Sequence, residues 1–227
     1  MSAHAPADLQ RIYRARFEAS ETYRDRVWQV LVGAFFQQYI QPTDRVLDLG
    51  CGYGEFIRHI RCGARWGMDL NPDSPQHLGP EITFLAQDCA SRWPLGEGAL
   101  NAVFTSNFFE HLPDKAALGR TLDEVFRCLA PGGRLLALGP NVKFLPGSYW
   151  DFWDHYIALT ELSLAEALQG RGFEIMRSED RFLPYTMARG PRFPLLFLRA
   201  YLRLPLAWKI LGRQFLVIAR KPLSSSS

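Results

Sequence analysis

The segment VLDLGCGYGEF, residues 46–56, places acids and glycines where an apolar run ends. The run stops at Asp48, and glycines at 50, 52 and 54 let the backbone turn tightly and approach a ligand without an intervening Cβ. A dinucleotide-binding turn has the spacing G-x-G-x-x-G, whereas this turn reads G-x-G-x-G. Asp48 and Glu55 beside the loop would repel a diphosphate. The loop therefore suits a cationic ligand without phosphate.

S-adenosylmethionine meets this requirement, because it carries an ammonium and a sulfonium group and no phosphate. On these residues the chain resembles the class I (Rossmann-like) S-adenosylmethionine-dependent methyltransferases, well over residues 44–140 and more loosely over 141–220. The resemblance implies that Asp48, Gly50 and Gly52 hold the methionine end of the cofactor. The product of the cofactor would be S-adenosylhomocysteine.

Acids that follow the next two predicted strands extend the resemblance. Asp69 lies about twenty residues past the loop, where an acid accepts the two ribose hydroxyls. Asp88 matches the acid that meets the adenine amino group in the family, and Cys89 beside it could offer a backbone N–H. The sequence departs from the family at Asn101, where an acid often starts the fourth strand. The implied cofactor-binding residues are Asp48, Gly50, Cys51, Gly52, Asp69, Leu70, Asp88, Cys89 and Asn107.

Two histidines are candidates for a general base, which a hydroxyl acceptor requires for methyl transfer. His155 lies in an aromatic and acidic segment that follows the fifth predicted strand, and the neighbouring Asp154 could orient its imidazole. His111 follows the fourth strand and is the second candidate. Either histidine could instead cap or pack a neighbouring element. We assign no metal ligand, because the sulfonium is already a strong electrophile.

Three aromatic residues in the same segment are candidates for contact with the acceptor. Tyr149, Trp150 and Trp153 could wall a pocket, as aromatic side chains do in many small-molecule sites. The alternative is that these rings belong to the ordinary hydrophobic core.

Short β runs alternate with helices from Arg45 onward, and this rhythm predicts the element that positions these groups. We expect an α/β fold with a doubly wound, mostly parallel seven-stranded sheet. Ligands of such sheets bind beyond the carboxyl ends of the strands. Helical spacing over residues 7–39 predicts an N-terminal helical segment, and a helix over 114–133 should end in a Pro-Gly-Gly turn.

The same pattern predicts the organisation of the chain. Residues 1–43 should form a helical cover, and residues 44–227 should form a Rossmann-like methyltransferase domain. Inserts at 141–160 and 181–213 would shape the acceptor site, and the second of these should be a helical insertion before the last strand.

Length and composition limit the class of protein. The chain has 227 residues, of which 48% are hydrophobic and 22% charged, and this indicates one globular domain with additions. Four scattered cysteines without a C-x-x-C pair predict reduced thiols. We find no secretory h-region and no apolar run long enough to span a bilayer, so we expect a cytoplasmic protein.

Residues 181–213 form a basic and apolar insert with seven arginines or lysines and no Asp or Glu. Its part 189–213 could lie on the inner face of a membrane, with arginines toward lipid phosphates. It could also bind an anionic acceptor such as a lipid-linked sugar, or it could be a packed cover or a homodimer surface. A nucleic-acid partner is not expected, because no aromatic and basic platform of known type is visible.

These observations predict methyl transfer from S-adenosylmethionine to a small-molecule or lipid-linked glycan acceptor, with oxygen as the acceptor atom. N- or C-methylation of a specialised metabolite is the alternative among enzymes. A non-catalytic cofactor-binding subunit is the alternative from another class of protein.

Overall fold

The computed structural model describes Arg11 and residues 21–185 and 194–223. Its centre is a seven-stranded sheet built from β1 (Arg45–Leu49), β2 (Ala64–Met68), β3 (Ile82–Leu85), β4 (Leu100–Ser106), β5 (Leu129–Pro140), β6 (Glu174–Glu179) and β7 (Gln214–Arg220). The strand order is β3-β2-β1-β4-β5-β7-β6. Strands β1 to β5 pair in parallel, and β7 is antiparallel to both of its neighbours. The predicted doubly wound, mostly parallel sheet is confirmed.

Seven α-helices are described around this sheet. They are α1 (Glu21–Ala34), α2 (Glu55–His59), α3 (Ser74–His77), α4 (Lys115–Cys128), α5 (Glu161–Gln169), α6 (Leu195–Leu202) and α7 (Pro205–Leu211). Short 3-10 turns occur at Phe36–Tyr39, Phe109–His111, Val142–Phe144 and Ser148–Asp151. The predicted helical segment before residue 21, apart from Arg11, and residues 186–193 of the second insert lie outside the described residues. None of the helices in the described ranges has the length and apolar character needed to cross a bilayer.

Side chains of alternate strand residues enter two hydrophobic cores, one on each face of the sheet. In β1, Leu47 and Leu49 pack in the core that contains α4 and α5, whereas Val46 packs with α1 and α2. Each buried aliphatic side chain contributes about 1.5–3 kcal/mol relative to exposure. Because both faces are covered, the carboxyl edge of the strands is the part of the sheet left to bind ligands.

Aromatic rings attach α1 to the sheet. The rings of Phe56 and Phe104 stack with centroids 3.6 Å apart, and Trp28 of α1 meets Phe104 edge-on at 5.8 Å. Phe36, directly after α1, packs edge-on against Phe104 at 5.1 Å. The described part of the N-terminal segment is therefore a constituent of the core on this face.

The prediction for the helix over 114–133 is wrong at its carboxyl end. Helix α4 ends at Cys128, and β5 already begins at Leu129. The register of β5 against β4 shifts between these first residues and the main run, so the Pro-Gly-Gly segment is an irregularity within the strand. Gly132 has a left-handed φ of +79°, and its N–H donates to the carbonyl of Lys221 at 2.9 Å. The hydrogen bond between Gly132 and Lys221, which are distant in sequence, thus holds this segment in the strand instead of the predicted turn.

Glu124 of α4 holds the segment that follows β3. Its carboxylate accepts the backbone N–H of Trp93 at 2.8 Å and the Nε of Arg127 at 2.8 Å. Arg127 in turn donates to the carbonyl of Leu95 at 2.8 Å. The hydrogen bond from Arg127 outweighs burial and lowers the pKa of Glu124. This clamp supports the turn that contains Asp88 and Cys89.

We predict that Glu124→Gln lowers the free energy of unfolding by about 1–3 kcal/mol at pH 7, because two charge-assisted hydrogen bonds are weakened. The folded-state pKa of Glu124 lies below its unfolded value of about 4.3. The difference from the unsubstituted protein should therefore be complete above that pH, and it should shrink as the pH falls through the lowered pKa.

Urea unfolding at pH 7 and in steps between about pH 5 and pH 3 measures both effects. Glu166→Gln on α5, where the side chain is exposed, is the matched control. Equal stability of the two variants at pH 7 would contradict the clamp.

Candidate active site

The glycine loop after β1 depends on left-handed backbone and a close approach. Gly50, Gly52 and Gly54 have φ values of +70°, +53° and +74°, which side chains rarely permit. A Cβ at Gly50 would lie 2.3 Å from the ring of Phe108, so any other residue would displace this ring. The N–H of Gly50 donates to the carbonyl of Met68 at 2.9 Å. The loop is thereby fixed between the ends of β1, β2 and β4.

Asp69, at the end of β2, uses both carboxylate oxygens on backbone groups. One oxygen accepts the N–H of Gly52 at 2.8 Å, and the other accepts the N–H of Asn71 at 2.8 Å. Burial raises the pKa of Asp69, and these hydrogen bonds offset only part of that rise. Asp69 is half-buried, like Leu70 beside it. The predicted ribose ligand therefore also holds the glycine loop in place.

Asp48 places a buried carboxyl group beside the loop. Burial raises the pKa of its carboxyl well above the ordinary value, and the charges of Glu55 and Asp69 raise it further. The thiol of Cys51 lies in the same field, because burial and then the charges of Asp69 and Asp48 raise its pKa. A cation bound here would stabilise the ionised carboxylates.

Glu55 is compensated from α1. Its carboxylate forms an ion pair with the guanidinium of Arg24 at 2.6 Å, and both side chains are less than 10% exposed. This contact revises the sequence argument, which counted Glu55 as a second acid facing the ligand. The preference for a cation comes instead from Asp48 and Asp69. Sequence reasoning missed Arg24, since no motif relates it to a loop about thirty residues away.

We predict that Arg24→Met lowers the free energy of unfolding by about 3 kcal/mol or more, because it leaves the Glu55 carboxylate buried near Asp48. The double variant Arg24→Met/Glu55→Gln should recover much of this loss. Denaturant unfolding at pH 7 measures both. Arg26→Met, at an exposed position of the same helix, is the matched control. A loss no greater than that of the control would show that the ion pair contributes little.

Asp88 and Cys89 shape the turn after β3. Asp88 is half-buried, and its carboxylate accepts the N–H of Ala90 at 3.0 Å. The buried Cys89 thiol accepts the hydroxyl of Thr121 at 3.4 Å, and burial raises the pKa of this thiol to about 12. The Cys89 side chain is thus part of the core. The contact of the Cys89 backbone N–H with adenine and the contact of the Asp88 carboxylate with the adenine amino group stay predictions.

Asn107 occupies a left-handed conformation directly after β4. Its φ is +49°, a region in which a non-glycine residue is uncommon, and its N–H donates to the carbonyl of Leu138 at 2.9 Å. Its side-chain Nδ2 donates to Ser106 at 3.0 Å, while its buried Oδ1 has no hydrogen-bond partner within the described part of the chain. This acceptor, the acids Asp48 and Asp69, and a loop with three glycines fit an ammonium and sulfonium ligand.

The predicted catalytic residues come together, and the charge of His111 offsets part of the rise that burial causes in the pKa of Asp69, the residue that binds the glycine loop. The Nδ1 of His111 lies 2.8 Å from the carbonyl oxygen of Asp154 and 3.2 Å from its carboxylate. The Nε2 of His111 lies 3.9 Å from the carboxylate of Glu110. The His155 ring is edge-on to His111 with centroids 5.0 Å apart. Sequence reasoning assigned no role to Glu110, although it directly precedes a candidate base.

Backbone hydrogen bonds bring these two segments together. The carbonyl of Glu110 accepts the N–H groups of Tyr156 at 2.8 Å and Ile157 at 3.3 Å. The insert after β5 is thus docked on the turn after β4.

The aromatic residues of the insert differ in exposure. Tyr149 is fully buried, its hydroxyl donates to the carbonyl of Ile157, and its ring packs on His155 with centroids 4.9 Å apart. This placement matches the core alternative, in which Tyr149 supports His155. Trp150 is 54% and Trp153 is 86% exposed, and their contact with an acceptor stays a prediction.

A family model described as a methyltransferase domain matches residues 20–178. The chain belongs to this methyltransferase family. It contains a methyltransferase domain of the kind that uses S-adenosylmethionine, as the sequence resemblance implied. Residues Asp48, Asp69 and Asn107 are those whose charge or acceptor atoms fit the cofactor. Acids beside the loop suit a cationic cofactor and would repel a phosphate, and for this reason the loop differs from a phosphate-binding turn.

Several proteins are similar to this methyltransferase. A demethylmenaquinone methyltransferase of Symbiobacterium thermophilum is 23% identical over 145 residues, which are 58% of this chain and 57% of that protein. An eEF1A lysine and N-terminal methyltransferase of Danio rerio is 30% identical over 148 residues, 57% of this chain and 20% of that protein. This methyltransferase thus matches about half or less of the length of these relatives.

A crystal structure of an S-adenosylmethionine-dependent methyltransferase from Archaeoglobus fulgidus has the same fold. It superposes with a TM-score of 0.67 at 20% identity, and the match covers 90% of this chain and 99% of that chain. The similarity concerns the fold, and the acceptor has to be argued from the residues of this chain.

Proposed function

We propose that this methyltransferase transfers a methyl group to a hydroxyl oxygen of a small-molecule or lipid-linked glycan acceptor. The observation that carries the proposal is the group formed by Glu110, His111 and His155. A hydroxyl is a weak nucleophile until its proton is removed or its oxygen is polarised. Neighbouring carboxylate and imidazole side chains can accept this proton. An amine acceptor has much less need of a general base.

The reaction requires no reactant besides S-adenosylmethionine and the acceptor. S-adenosylmethionine supplies an electrophilic methyl group on its sulfonium. The acceptor oxygen forms the new O–C bond, its proton passes to the Glu110, His111 and His155 group and then to water, and S-adenosylhomocysteine is the second product. Asp48 and Asp69 favour the cationic cofactor, while Asp154 orients His111. Burial of Glu110 and His155 limits the access of water.

N- or C-methylation is the second candidate function. N-methylation is favoured by the Danio rerio relative, whose name states action on lysine and N-termini. The product analysis below separates the two, because an O-methyl group differs in mass fragmentation and chemical shift from a methyl group on nitrogen or carbon.

Turnover is tested by S-adenosylhomocysteine release with a panel of acceptors. The panel should pair each hydroxylated small molecule and lipid-linked glycan with its deoxy and amino analogue. We expect release with a hydroxylated member, loss with the deoxy analogue and an O-methyl group in the product. Release with amino analogues alone would contradict O-methylation.

We predict that Asp69→Ala weakens cofactor binding by about 1–3 kcal/mol, roughly fivefold to 150-fold, because it removes a charged acceptor and frees the N–H of Gly52. Isothermal titration calorimetry with S-adenosylhomocysteine measures the change. Asp44→Ala is the matched control, since Asp44 also accepts a backbone N–H, from Gln41 at 2.8 Å, but at the opposite end of β1. Unchanged affinity of Asp69→Ala would remove Asp69 from the cofactor site.

We propose further that helices α6 and α7 contact an anionic membrane surface, where a lipid-linked acceptor would be available, on the cytoplasmic side. The supporting observation is a set of exposed apolar side chains, which we call the α6–α7 surface. It comprises Leu196, Phe197, Leu204, Leu206, Ile210 and Leu211. Exposed Arg199 and Lys209 lie on these helices, and exposed Arg203 lies between them. Apolar burial together with cation attraction is what binds such helices to lipid.

The double variant Leu206→Ser/Ile210→Ser should reduce binding to vesicles of phosphatidylglycerol and phosphatidylcholine about tenfold or more, because two exposed apolar side chains no longer enter the lipid. Cosedimentation at low and high salt measures the binding. Leu162→Ser is the matched control, since Leu162 is 62% exposed on α5, away from this surface. No vesicle binding by the unsubstituted protein, or a dimer that the double variant dissociates, would contradict the membrane contact.

A further inference from the structure

The side chains of Glu110, His111 and His155 form a compact set of ligand atoms. Each offers one atom, and these three atoms all lie within 4.8 Å of one another. Glu110 is 2% exposed and His155 is 6% exposed, whereas the His111 side chain is 24% exposed. Two of the three side chains are therefore buried, and the third is partly exposed to solvent.

The orientation of His111 is that of a metal ligand. Its Nδ1 faces two acceptors, the carbonyl and the carboxylate oxygen of Asp154, so Nδ1 carries the proton. The Nε2 atom then carries a lone pair and lies 3.9 Å from the Glu110 carboxylate oxygen. Both atoms can donate electrons to an ion placed between them. Metal-binding histidines usually donate their other N–H to a carboxylate or a carbonyl, which orients the ring. Asp154 supplies both kinds of acceptor.

The surrounding backbone holds the set together before any ion arrives. The Glu110 carbonyl binds the N–H groups of Tyr156 and Ile157, as described above. The His155 ring stacks on Phe152 with centroids 5.0 Å apart and packs edge-on against the buried Tyr149. Little ordering would remain to be done on binding, which favours affinity.

We propose that Glu110, His111 and His155 bind one divalent first-row transition-metal ion of the zinc class. Two of the three ligand atoms are imidazole nitrogens, which suit Zn²⁺ and other first-row transition ions better than Mg²⁺ or Ca²⁺. Two histidines and one glutamate also leave a coordination position for water or a substrate oxygen.

The separations are compatible with such an ion. Three atoms no more than 4.8 Å apart have a point within 4.8/√3, about 2.8 Å, of all of them. Zinc bonds to nitrogen and oxygen are about 2.0–2.2 Å long, so shifts of about 0.6–0.8 Å complete the site. Side-chain rotations of this size leave the backbone hydrogen bonds of Glu110 intact.

A proton is the competing occupant of the space between His111 and Glu110. Burial lowers the pKa of His111, but the hydrogen bond to Asp154 and the charge of Glu110 outweigh it, so this pKa is raised overall. The same negative surroundings also favour a divalent ion, whose charge is larger than that of a proton. Metal titration distinguishes these two occupants directly.

The inference deepens the proposed O-methylation and rests on it for the role of the ion. With the ion bound, the three side chains would act as ligands and not as the proton acceptor. A hydroxyl bound at the open position would lose its proton to water at lower pH, because a bound divalent ion lowers the pKa of an oxygen ligand. The binding of the ion itself does not depend on which acceptor is methylated.

The experiment uses untagged full-length protein, stripped with chelator and titrated with Zn²⁺ by calorimetry and with Mn²⁺ by electron paramagnetic resonance. We expect one site per chain. Glu110→Gln and His155→Gln should each weaken binding about 100-fold, and Asp154→Asn about tenfold, because Asp154 acts through His111. His59→Gln is the matched control, since His59 pairs with Asp25 on the opposite face of the sheet. Circular dichroism and thermal unfolding verify that each variant is folded.

Absence of stoichiometric binding, or equal binding by the ligand variants and the His59 variant, would overturn the site. Hydroxyl methylation that persists after chelation would reject a role of the ion in the reaction and leave the proposed function standing. One bound ion together with activity on amines alone would support the site and reject the proposed function.

Discussion

Buried negative charge at the carboxyl end of β1 is the constraint around which this molecule is arranged. Asp48, Glu55 and Asp69 act on one another through the protein interior, and burial raises the pKa of Asp48 and Asp69. Uncompensated carboxylates in such surroundings would cost several kcal/mol. Arg24 compensates Glu55, and backbone N–H groups bind Asp69. The charge that remains favours a cationic cofactor, and this is why a methyltransferase loop and a diphosphate-binding loop differ.

This constraint gives the N-terminal helix α1 a function beyond covering a pocket. Its Arg24 reaches the helix that follows the glycine loop, and its Trp28 packs on the ring of Phe104 in β4. Charge compensation and aromatic packing therefore come from one helix. Loss of α1 would expose the core on one face of the sheet and leave Glu55 unbalanced.

The part of the site proposed to contact the acceptor is formed by other elements than the glycine loop. The turn after β4 and the insert after β5 are joined through the carbonyl of Glu110, and this joint places Asp154 and His155 against His111. Membership in the methyltransferase family determines the cofactor and leaves the acceptor open. The chemistry offered to the acceptor depends on this local joint, and the lipid-facing surface proposed for α6 and α7 would determine where the acceptor is met.

The sequence by itself determined the sheet and the cofactor, because these depend on local patterns: apolar runs, glycines after the first strand and acids near the ends of the first three strands. It misplaced the end of α4, since a bulge paired with β4 and a bond to Lys221 decide that boundary. It also missed the Arg24 partner of Glu55 and the role of Glu110. Only the tertiary structure decided those, because ion pairing and side-chain convergence join residues that the chain separates by tens of positions.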